Sequence, residues 1–386
     1  MYELDPRIRR FFGADEHPEL SWTFLHPADQ AWIETVVLAE GNDPGILSAT
    51  ALQNLGGDDQ RRRLRRVDDW HKAWPTVRTE QVKHVERHLA RLPEPRPHRD
   101  HELLDVPLIT GRPGTGKTHL LKREAVKALC RAAWDRRLDA EDLAIGSSGL
   151  IDPDWRPVIF HSEDSNPSVK SFFTHLCDLV GVPSGSDPQA AFRRAVLRHG
   201  IQTVLIDEFQ MINFDGQRGM YLHNAVKALQ NMNVRVILAG HNVRRLLVRR
   251  QTAAQNITQT QSTARWAFLD LARYPHETDA EITEWRKVLR ALESHIRLAG
   301  HAPDTRVLST TLEQHLWVIT LGYMNSLAGL LTEACITALR TRDQLITAKI
   351  LDSIVLNDRV ERDKATRLKS WRAGLFNWAT DASEDR

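Results

Sequence analysis

Short apolar runs and amphipathic stretches alternate through the middle of the chain. Four runs are rich in Val, Ile and Leu, which is typical of strands buried on both faces of a sheet. They are residues 106–110, 157–160, 203–206 and 234–239. Helical spacing of apolar positions is found in residues 120–137, 169–180, 189–199 and 220–232. Because strands that alternate with helices form parallel sheets with right-handed crossovers, this part is predicted to be an α/β domain.

From about residue 278 the pattern changes to helices alone. Helical periodicity is found in residues 282–296, 310–321, 326–340 and 347–355. Asp279 is the predicted cap of the first of these helices. Charged residues follow and surround an apolar stripe that could close against the helices or recruit a partner. The stripe consists of Leu368, Trp371, Leu375, Phe376 and Trp378.

The segment after the first apolar run has the pattern G-x4-G-K-[ST] of a phosphate-binding loop. Glycine lets backbone N–H groups close around phosphate oxygens, and the following helix adds the positive end of its dipole. Lys117 is predicted to reach the β- and γ-phosphates, and the Thr118 hydroxyl to bind Mg²⁺. The predicted ATP-binding residues of this phosphate loop are Gly111, Arg112, Pro113, Gly114, Thr115, Gly116, Lys117 and Thr118.

Two carboxylates, Asp207 and Glu208, end the third apolar run. Ligands of open parallel sheets bind beyond the carboxyl ends of the strands, so both side chains are expected beside the phosphates. Asp207 is predicted to hold Mg²⁺, directly or through water, and Glu208 to orient and deprotonate the attacking water. With Lys117 they form the predicted catalytic set of a Mg²⁺-dependent ATPase.

Composition adds three expectations. Lys and Arg number 52 and Asp and Glu 50, for a net charge of +2, so attraction to nucleic acid would have to come from local basic clusters. The chain starts without the pattern of a secretory signal, and no apolar run approaches the roughly 20 residues that span a bilayer, which predicts a cytoplasmic protein without membrane contact. Cys130, Cys177 and Cys335 lack the spacing of a zinc site or disulfide framework and are predicted to be core thiols.

The sequence is predicted to contain four segments. They are a helical N-terminal region of unknown role at residues 1–75, a nucleotide-binding α/β domain at 76–275, a helical lid at 276–356 and an amphipathic tail at 357–386. The predicted fold class is therefore a P-loop α/β core with a parallel sheet, followed by a small all-α lid and preceded by helices.

This combination of Walker A and B motifs, α/β core and helical lid resembles the AAA+ ATPases. Within that class, residues 206–215, 222–231 and 236–240 resemble the TniB/TnsC family of transposition ATPases. Three further segments fit the same family, namely residues 70–75, 262–266 and 322–331. The resemblance extends from residue 70 to residue 352.

Membership of that family would imply an ATP-dependent regulator that assembles on DNA, receives target information and activates a transposase. His241 or Asn242 would be the polar sensor near the γ-phosphate, although the family more often has Thr at the first position. Arg265 would reach the nucleotide of a neighbouring subunit, unless it is an ordinary surface arginine. Many AAA+ lids carry an arginine shortly after the glycine that corresponds to Gly322. Asn325 stands there in this chain and is predicted to cap the following helix.

Two basic clusters are candidates for DNA contact. Each could neutralise several phosphates, which would make binding salt-dependent and indifferent to sequence. The first cluster covers residues 61–66, and the second consists of Arg244, Arg245, Arg249 and Arg250. A solvated helix face is the alternative interpretation of each. For the first cluster, nearby carboxylates favour that alternative, namely Asp58, Asp59, Asp68 and Asp69.

The leading hypothesis is an ATPase whose copies form a ring or helical filament on double-stranded DNA, without sequence specificity. It would recruit or activate a transposase, with a target-selector protein as a further partner. The alternative is a STAND-like signalling or defence switch ATPase that a protein partner triggers without DNA. A third interpretation, an inactive nucleotide-dependent scaffold, is disfavoured by the presence of Glu208.

Overall fold

A computed structural model describes residue 33 and residues 43–93, 105–142, 154–163, 167–211, 217–241, 243, 266–301 and 305–378. Contacts divide these residues into two compact units. The first unit comprises the described residues of 1–37, 81–113 and 117–271. The second comprises the described residues of 38–80, 114–116 and 272–386.

A five-stranded parallel sheet forms the centre of the first unit. Its strands are β1 (Val106–Thr110), β2 (Val158–Ser162), β3 (Thr203–Asp207), β4 (Arg235–Gly240) and β5 (Trp266–Asp270). They lie in the order β2-β3-β4-β1-β5, and every neighbouring pair is parallel. The four predicted strands are confirmed to within two residues at their ends. The apolar pattern did not identify β5, in which Ala267 and Phe268 are only half-buried and which ends in the exposed Asp270.

Helices surround the sheet in the first unit and make up most of the second. In chain order, the helices of the described residues are α1 (Ala49–Gln53), α2 (Gly57–Lys72), α3 (Glu80–Ala90), α4 (Lys117–Asp142), α5 (Val169–Leu179), α6 (Pro188–His199), α7 (Gln217–Asn231), α8 (Asp279–Glu293), α9 (Glu313–Thr320), α10 (Met324–Leu339), α11 (Ala348–Ser353), α12 (Asp358–Glu361) and α13 (Lys364–Arg372). The predicted α/β class with an all-α region after it is confirmed.

Local sequence signals set the ends of several helices. At α6 the Asp187 carboxylate accepts a hydrogen bond from the Ala190 amide, Pro188 occupies the first turn, and Gly200 ends the helix in the left-handed conformation. At α8 the cap is Thr278, which forms a capping box with Glu281. The prediction that Asp279 caps this helix was therefore wrong by one residue.

The sheet buries apolar side chains on both faces. One core lies between the sheet and the helices α5, α6 and α7, and it includes Phe172, Phe173 and Phe192, none of which is exposed. The other core includes Leu121 and Val126 of α4. This double-sided burial explains why the strands read as continuous apolar runs. Because β1 and β3 both pair with β4 in parallel, their carboxyl ends lie at the same edge of the sheet.

The second unit combines lid helices with residues that precede the α/β core. Trp285 and Trp317 of the lid are almost completely buried, and α2 packs against α10. The Trp70 indole stacks on the His295 ring with centroids 4.2 Å apart and donates to the His295 carbonyl at 2.7 Å. The Trp74 indole donates to the Thr332 hydroxyl at 2.8 Å. Residues 43–80 therefore share a core with the lid, while the four predicted segment boundaries stay a prediction.

Most of the apolar stripe of the tail packs against this same core. Leu368 is buried, and three aromatic residues are partly buried against the cluster, namely Trp371, Phe376 and Trp378. Leu375 is 78% exposed. For four of the five stripe residues, the structure thus favours closure against the lid. Among the cysteines, Cys177 and Cys335 are buried and Cys130 is half-buried. No helix in the described ranges is long and apolar enough to cross a membrane.

Gly322 tests the packing of the lid because it has a φ of +74° and a Cβ built there would lie 2.1 Å from the Tyr274 carbonyl oxygen. We expect Gly322→Ala to lower the free energy of unfolding by about 2–4 kcal/mol, measured by urea denaturation. Gly329→Ala is the matched control, because a Cβ at this exposed position of α10 meets nothing within 4 Å. It should raise stability by about 0.5–1 kcal/mol. Equal stability of the two variants would contradict the described packing.

Candidate functional site

The phosphate loop follows β1 and leads into α4. Gly114 and Gly116 have φ values of +87° and +97°, a backbone region that side chains with a Cβ rarely adopt. Thr115 and Lys117 are buried at 6% and 9% exposure. The loop thus has the left-handed turns and the short, glycine-rich backbone that bring N–H groups close to an anion at a helix N-terminus.

The Lys117 ammonium lies against the backbone of its own loop. It donates to the carbonyl oxygens of Gly111 at 2.9 Å and Arg112 at 2.8 Å. These bonds hold the charged end of the side chain at the base of the loop. Because an ammonium has three donors, phosphate oxygens can compete with the carbonyls for the same group.

Asp207 brings a carboxylate to the Thr118 hydroxyl at the carboxyl end of β3. The Thr118 hydroxyl interacts with this carboxylate, and the Glu208 amide donates to Asp207 Oδ1 at 2.9 Å. Burial raises the pKa of Asp207, while the Thr118 hydroxyl, the Glu208 amide and the Lys117 charge oppose that rise. A carboxylate and a hydroxyl side by side are hard oxygen ligands, so this pair fits a Mg²⁺ ion.

Glu208 adopts an uncommon backbone conformation, with a φ of +53°. Its carboxylate accepts a hydrogen bond from the Gln210 side-chain amide. The carbonyl oxygen of the same amide accepts from the His241 backbone N–H at 2.8 Å. Gln210 therefore connects the carboxylate after β3 with the backbone at the end of β4.

Gly240 leaves the space that Gln210 occupies. A Cβ built at Gly240 would lie 2.8 Å from the Gln210 side-chain oxygen and 3.2 Å from its backbone nitrogen. Gln210 was not among the predicted site residues. Gln210 lies three residues after Asp207, which by itself is only a weak indication of a role in the site. Its role becomes visible through the hydrogen bond with His241, and His241 follows a different strand, β4. The structure therefore adds Gln210 to the site.

The other predicted site residues are placed only in part. Of the two predicted sensor residues, His241 is half-buried and contacts Gln210 through its backbone N–H, and Asn242 lies outside the described residues. Also outside them are Arg265, Arg244, Arg245, Arg249 and Arg250. Their roles stay predictions.

Asn325 does not cap the helix that begins beside it. Tyr323 is the cap position of α10, and Asn325 lies within the first turn. The prediction of a capping role was therefore wrong. Within the second unit, the Asn325 backbone N–H donates to the Gly114 carbonyl at 2.9 Å.

The first basic cluster lies on α2, where ion pairs and loop contacts engage three of its arginines. Arg61 and Arg62 pair with Asp58 and Asp59, at 3.9 and 2.8 Å. Arg63 donates to the carbonyls of Pro44 and Gly45. Exposed pairs of this kind contribute little to stability, but they reduce the charge available to a phosphate backbone. These contacts favour the interpretation of residues 61–66 as a solvated helix face.

A family model described as "AAA domain" matches residues 105–247, a range that includes β1 to β4, the phosphate loop and both carboxylates. No curated protein matches the chain. Among solved structures, AMPPCP-bound DnaA from Aquifex aeolicus is 16% identical, with 64% of this chain and 57% of that chain covered and a TM-score of 0.37.

Two further structures come from Thermotoga maritima. Domain III of the replication initiation protein DnaA is 13% identical, with 81% of this chain and 95% of that chain covered and a TM-score of 0.37. A RuvB protein is 13% identical, with coverages of 80% and 71% and a TM-score of 0.32. These similarities are too distant to indicate an activity, ligand or partner. The match indicates an AAA domain at residues 105–247. The described residues form an α/β core with a five-stranded parallel sheet, with helices before it and lid helices after it.

Proposed function

We propose that this chain is a Mg²⁺-dependent AAA+ ATPase that regulates DNA transposition. The observation that carries the ATPase part is the arrangement of Asp207 and Thr118 at the carboxyl end of β3, with Lys117 held at the base of the phosphate loop. These groups combine a cation, two oxygen ligands and a set of backbone donors. Lys117 and Asp207 are buried, while Thr118 is exposed to incoming ligands. Phosphoryl transfer depends mainly on such positioning and electrostatic stabilisation.

The roles of the side chains follow from their chemistry. Lys117 exchanges its carbonyl partners for oxygens of the β- and γ-phosphates and stabilises the charge that develops on them. Thr118 and Asp207 hold Mg²⁺, which neutralises phosphate charge when it is bound. Glu208 orients the attacking water and accepts its proton. Backbone N–H groups of the loop bind the remaining phosphate oxygens.

Gln210 is a positioning residue in this proposal. Its amide fixes the Glu208 carboxylate and at the same time binds the His241 N–H. A carboxylate that must align a water tolerates little displacement, because a misplacement of about 1 Å costs roughly 100-fold in rate. The hydrogen bond between the His241 N–H and Gln210 also gives the backbone of residue 241 a role next to the catalytic carboxylate. That role does not depend on the side chain of residue 241.

The transposition part of the proposal rests on the sequence blocks that resemble the TniB/TnsC family. In this function the chains assemble on double-stranded DNA as a ring or filament, since head-to-tail contacts either close or propagate. Arg265 reaches the nucleotide of a neighbouring copy. The second basic cluster contacts DNA phosphates through Arg244, Arg245, Arg249 and Arg250. The assembly then recruits a transposase, with a target-selector protein as an additional partner.

Assembly on DNA is the first test of this function. Glu208→Gln should bind ATP, turn it over more than about 100-fold more slowly and remain assembled on duplex DNA. Electron microscopy and co-sedimentation should show rings or filaments that require ATP and weaken as salt rises. Lys117→Ala should not assemble. If ATP binds but duplex DNA changes neither assembly nor wild-type turnover, the transposition proposal is wrong and a protein-triggered switch is favoured.

A charge-matched pair of variants identifies the DNA-binding surface. Replacing the four arginines of the second cluster with Ala should weaken DNA binding and leave ATP affinity unchanged. The control replaces four exposed arginines of α2, namely Arg61, Arg62, Arg65 and Arg66, and removes the same charge. Equal losses in both variants would show a general charge effect and would count against the second cluster as the DNA-binding surface.

The Gln210 link predicts an effect on turnover without an effect on ATP binding. We expect Gln210→Ala to lower kcat about 10–100-fold at unchanged nucleotide affinity, because Glu208 loses its alignment but the phosphate loop does not change. Steady-state kinetics and nucleotide titration measure the two quantities separately. Gln189→Ala on α6 is the control and should retain wild-type kcat. A Gln210→Ala variant that turns over normally would remove Gln210 from the site.

Asp207 should stabilise the nucleotide-bound protein at the expense of the free one. Its pKa is raised in the folded state, so the buried carboxylate costs stability once the pH exceeds the ordinary value of about 3.9. Asp207→Asn keeps an acceptor for Thr118 and should therefore unfold at a higher temperature than the wild type at pH 7 without ligand. This advantage should disappear as the pH falls towards 4, because the wild-type carboxyl is then protonated.

The same variant should lose its response to Mg²⁺ and ATP. We expect the Mg²⁺ concentration for half-maximal turnover to rise more than about tenfold. Asp178→Asn, an exposed change on α5, should leave the pH dependence of stability as in the wild type. If Asp207→Asn is less stable than the wild type across this pH range, the Asp207 carboxylate stabilises the free fold, and the prediction from its raised pKa is wrong.

A further inference from the structure

Three side chains that the proposed ATPase chemistry does not use converge at the carboxyl end of β2. His161 lies in β2, Glu163 directly follows it, and His175 lies on α5. One potential ligand atom from each residue lies within 4.8 Å of the other two. His161 and Glu163 are 8% and 1% exposed, while His175 is exposed.

The separations suit one metal ion. The His161 Nε2 and Glu163 Oε2 atoms are 3.2 Å apart. Tetrahedral zinc with bonds of about 2.0–2.1 Å places neighbouring ligand atoms roughly 3.4 Å apart, so this pair already spans one edge of such a tetrahedron. The exposed His175 side chain needs a shift of only ~1.5 Å to complete a triangular face. Two of the ligands sit on the rigid end of a sheet strand, which limits the cost of forming the site.

The ligand types select the kind of ion. Two imidazoles and one carboxylate suit zinc, whereas Mg²⁺ prefers oxygen ligands alone in an octahedral arrangement. Three protein ligands leave a fourth position for water, as in open zinc sites. This set also differs from the proposed Mg²⁺ ligands, Thr118 and Asp207, in both residues and chemistry.

We propose that His161, Glu163 and His175 bind one zinc ion that joins the end of β2 to α5. The Glu163 backbone N–H donates to the Asp207 carbonyl at 3.1 Å, so the ion braces the strand that lies next to the proposed catalytic strand β3. Zinc binding does not depend on the proposed ATPase activity. It is therefore tested without nucleotide, which would itself chelate the ion.

The test is metal binding by the full chain without a histidine tag. Wild-type protein incubated with Zn²⁺ and passed through gel filtration should retain one zinc per chain in elemental analysis. Co²⁺ in its place should give the visible absorption of a tetrahedral site. Bound zinc should also raise the midpoint of thermal unfolding by about 3 °C or more, because the ion binds only the folded arrangement.

Three single variants decide the ligand assignment, and one of them is a matched control. His175→Ala removes an exposed side chain, so folding should be unaffected, and zinc affinity should fall more than about 100-fold. His84→Ala removes another exposed histidine, on α3, and should retain wild-type affinity. Glu163→Gln keeps the shape of the buried side chain and should also lose zinc.

The opposite results overturn the proposal. Absence of retained zinc in the wild type would show that the cluster is a hydrogen-bonded group without a metal. Equal losses in His175→Ala and His84→Ala would show weak, dispersed binding to surface histidines. Wild-type zinc affinity in Glu163→Gln would remove the carboxylate from the site. None of these results bears on the proposed ATPase, whose own variants are distinct.

Discussion

The contact between the Thr118 hydroxyl and the Asp207 carboxylate is the interaction on which the site depends. It joins the first turn of α4 to the end of β3, and it forms because a parallel sheet places the carboxyl ends of β1 and β3 at one edge. Burial makes the ionised carboxylate costly, so the free protein carries an unfavourable group at its centre. A divalent cation relieves that cost directly. The site is thus arranged for its ligand more than for the stability of the free fold.

Sequence patterns predicted the parts of the structure whose signals are local. Fewer than ten consecutive residues were enough to predict the phosphate loop, the pair Asp207 and Glu208, and four of the five strands. Glycine conformation and burial on both faces of the sheet each require particular residue types at neighbouring positions. The missed features depend on distant partners. Gln210 acquires its role only when His241 is placed beside it. The strand β5 depends on pairing with β1. Asn325 appeared to be a cap by residue type, yet it lies inside α10.

Gln210 connects the end of β4 to Glu208, the carboxylate that we propose to act in hydrolysis. A sensor is usually sought in a polar side chain after this strand, and the sequence offered His241 or Asn242. The structure shows a connection through the backbone of position 241, carried by the Gln210 amide to Glu208. Such a link tolerates different side chains at position 241 because the donor is an N–H group. It also makes Gly240 a fixed choice, since a Cβ there would displace the amide.

The packing of residues 43–80 bears on the competing functions. A switch ATPase that uses its N-terminal region as a sensor needs a segment that can be released. The described part of this region is instead bonded into the lid core at several points. Burial lowers the pKa of His71 to about 3, so its ring stays neutral, and its Nε2 accepts a hydrogen bond from the Arg297 backbone N–H at 3.0 Å. Release would break this bond, the Trp70–His295 stack and the Trp74–Thr332 bond together. Residues 43–80 therefore form a structural part of the lid unit, and a switch that worked by their release would have to break all of these contacts.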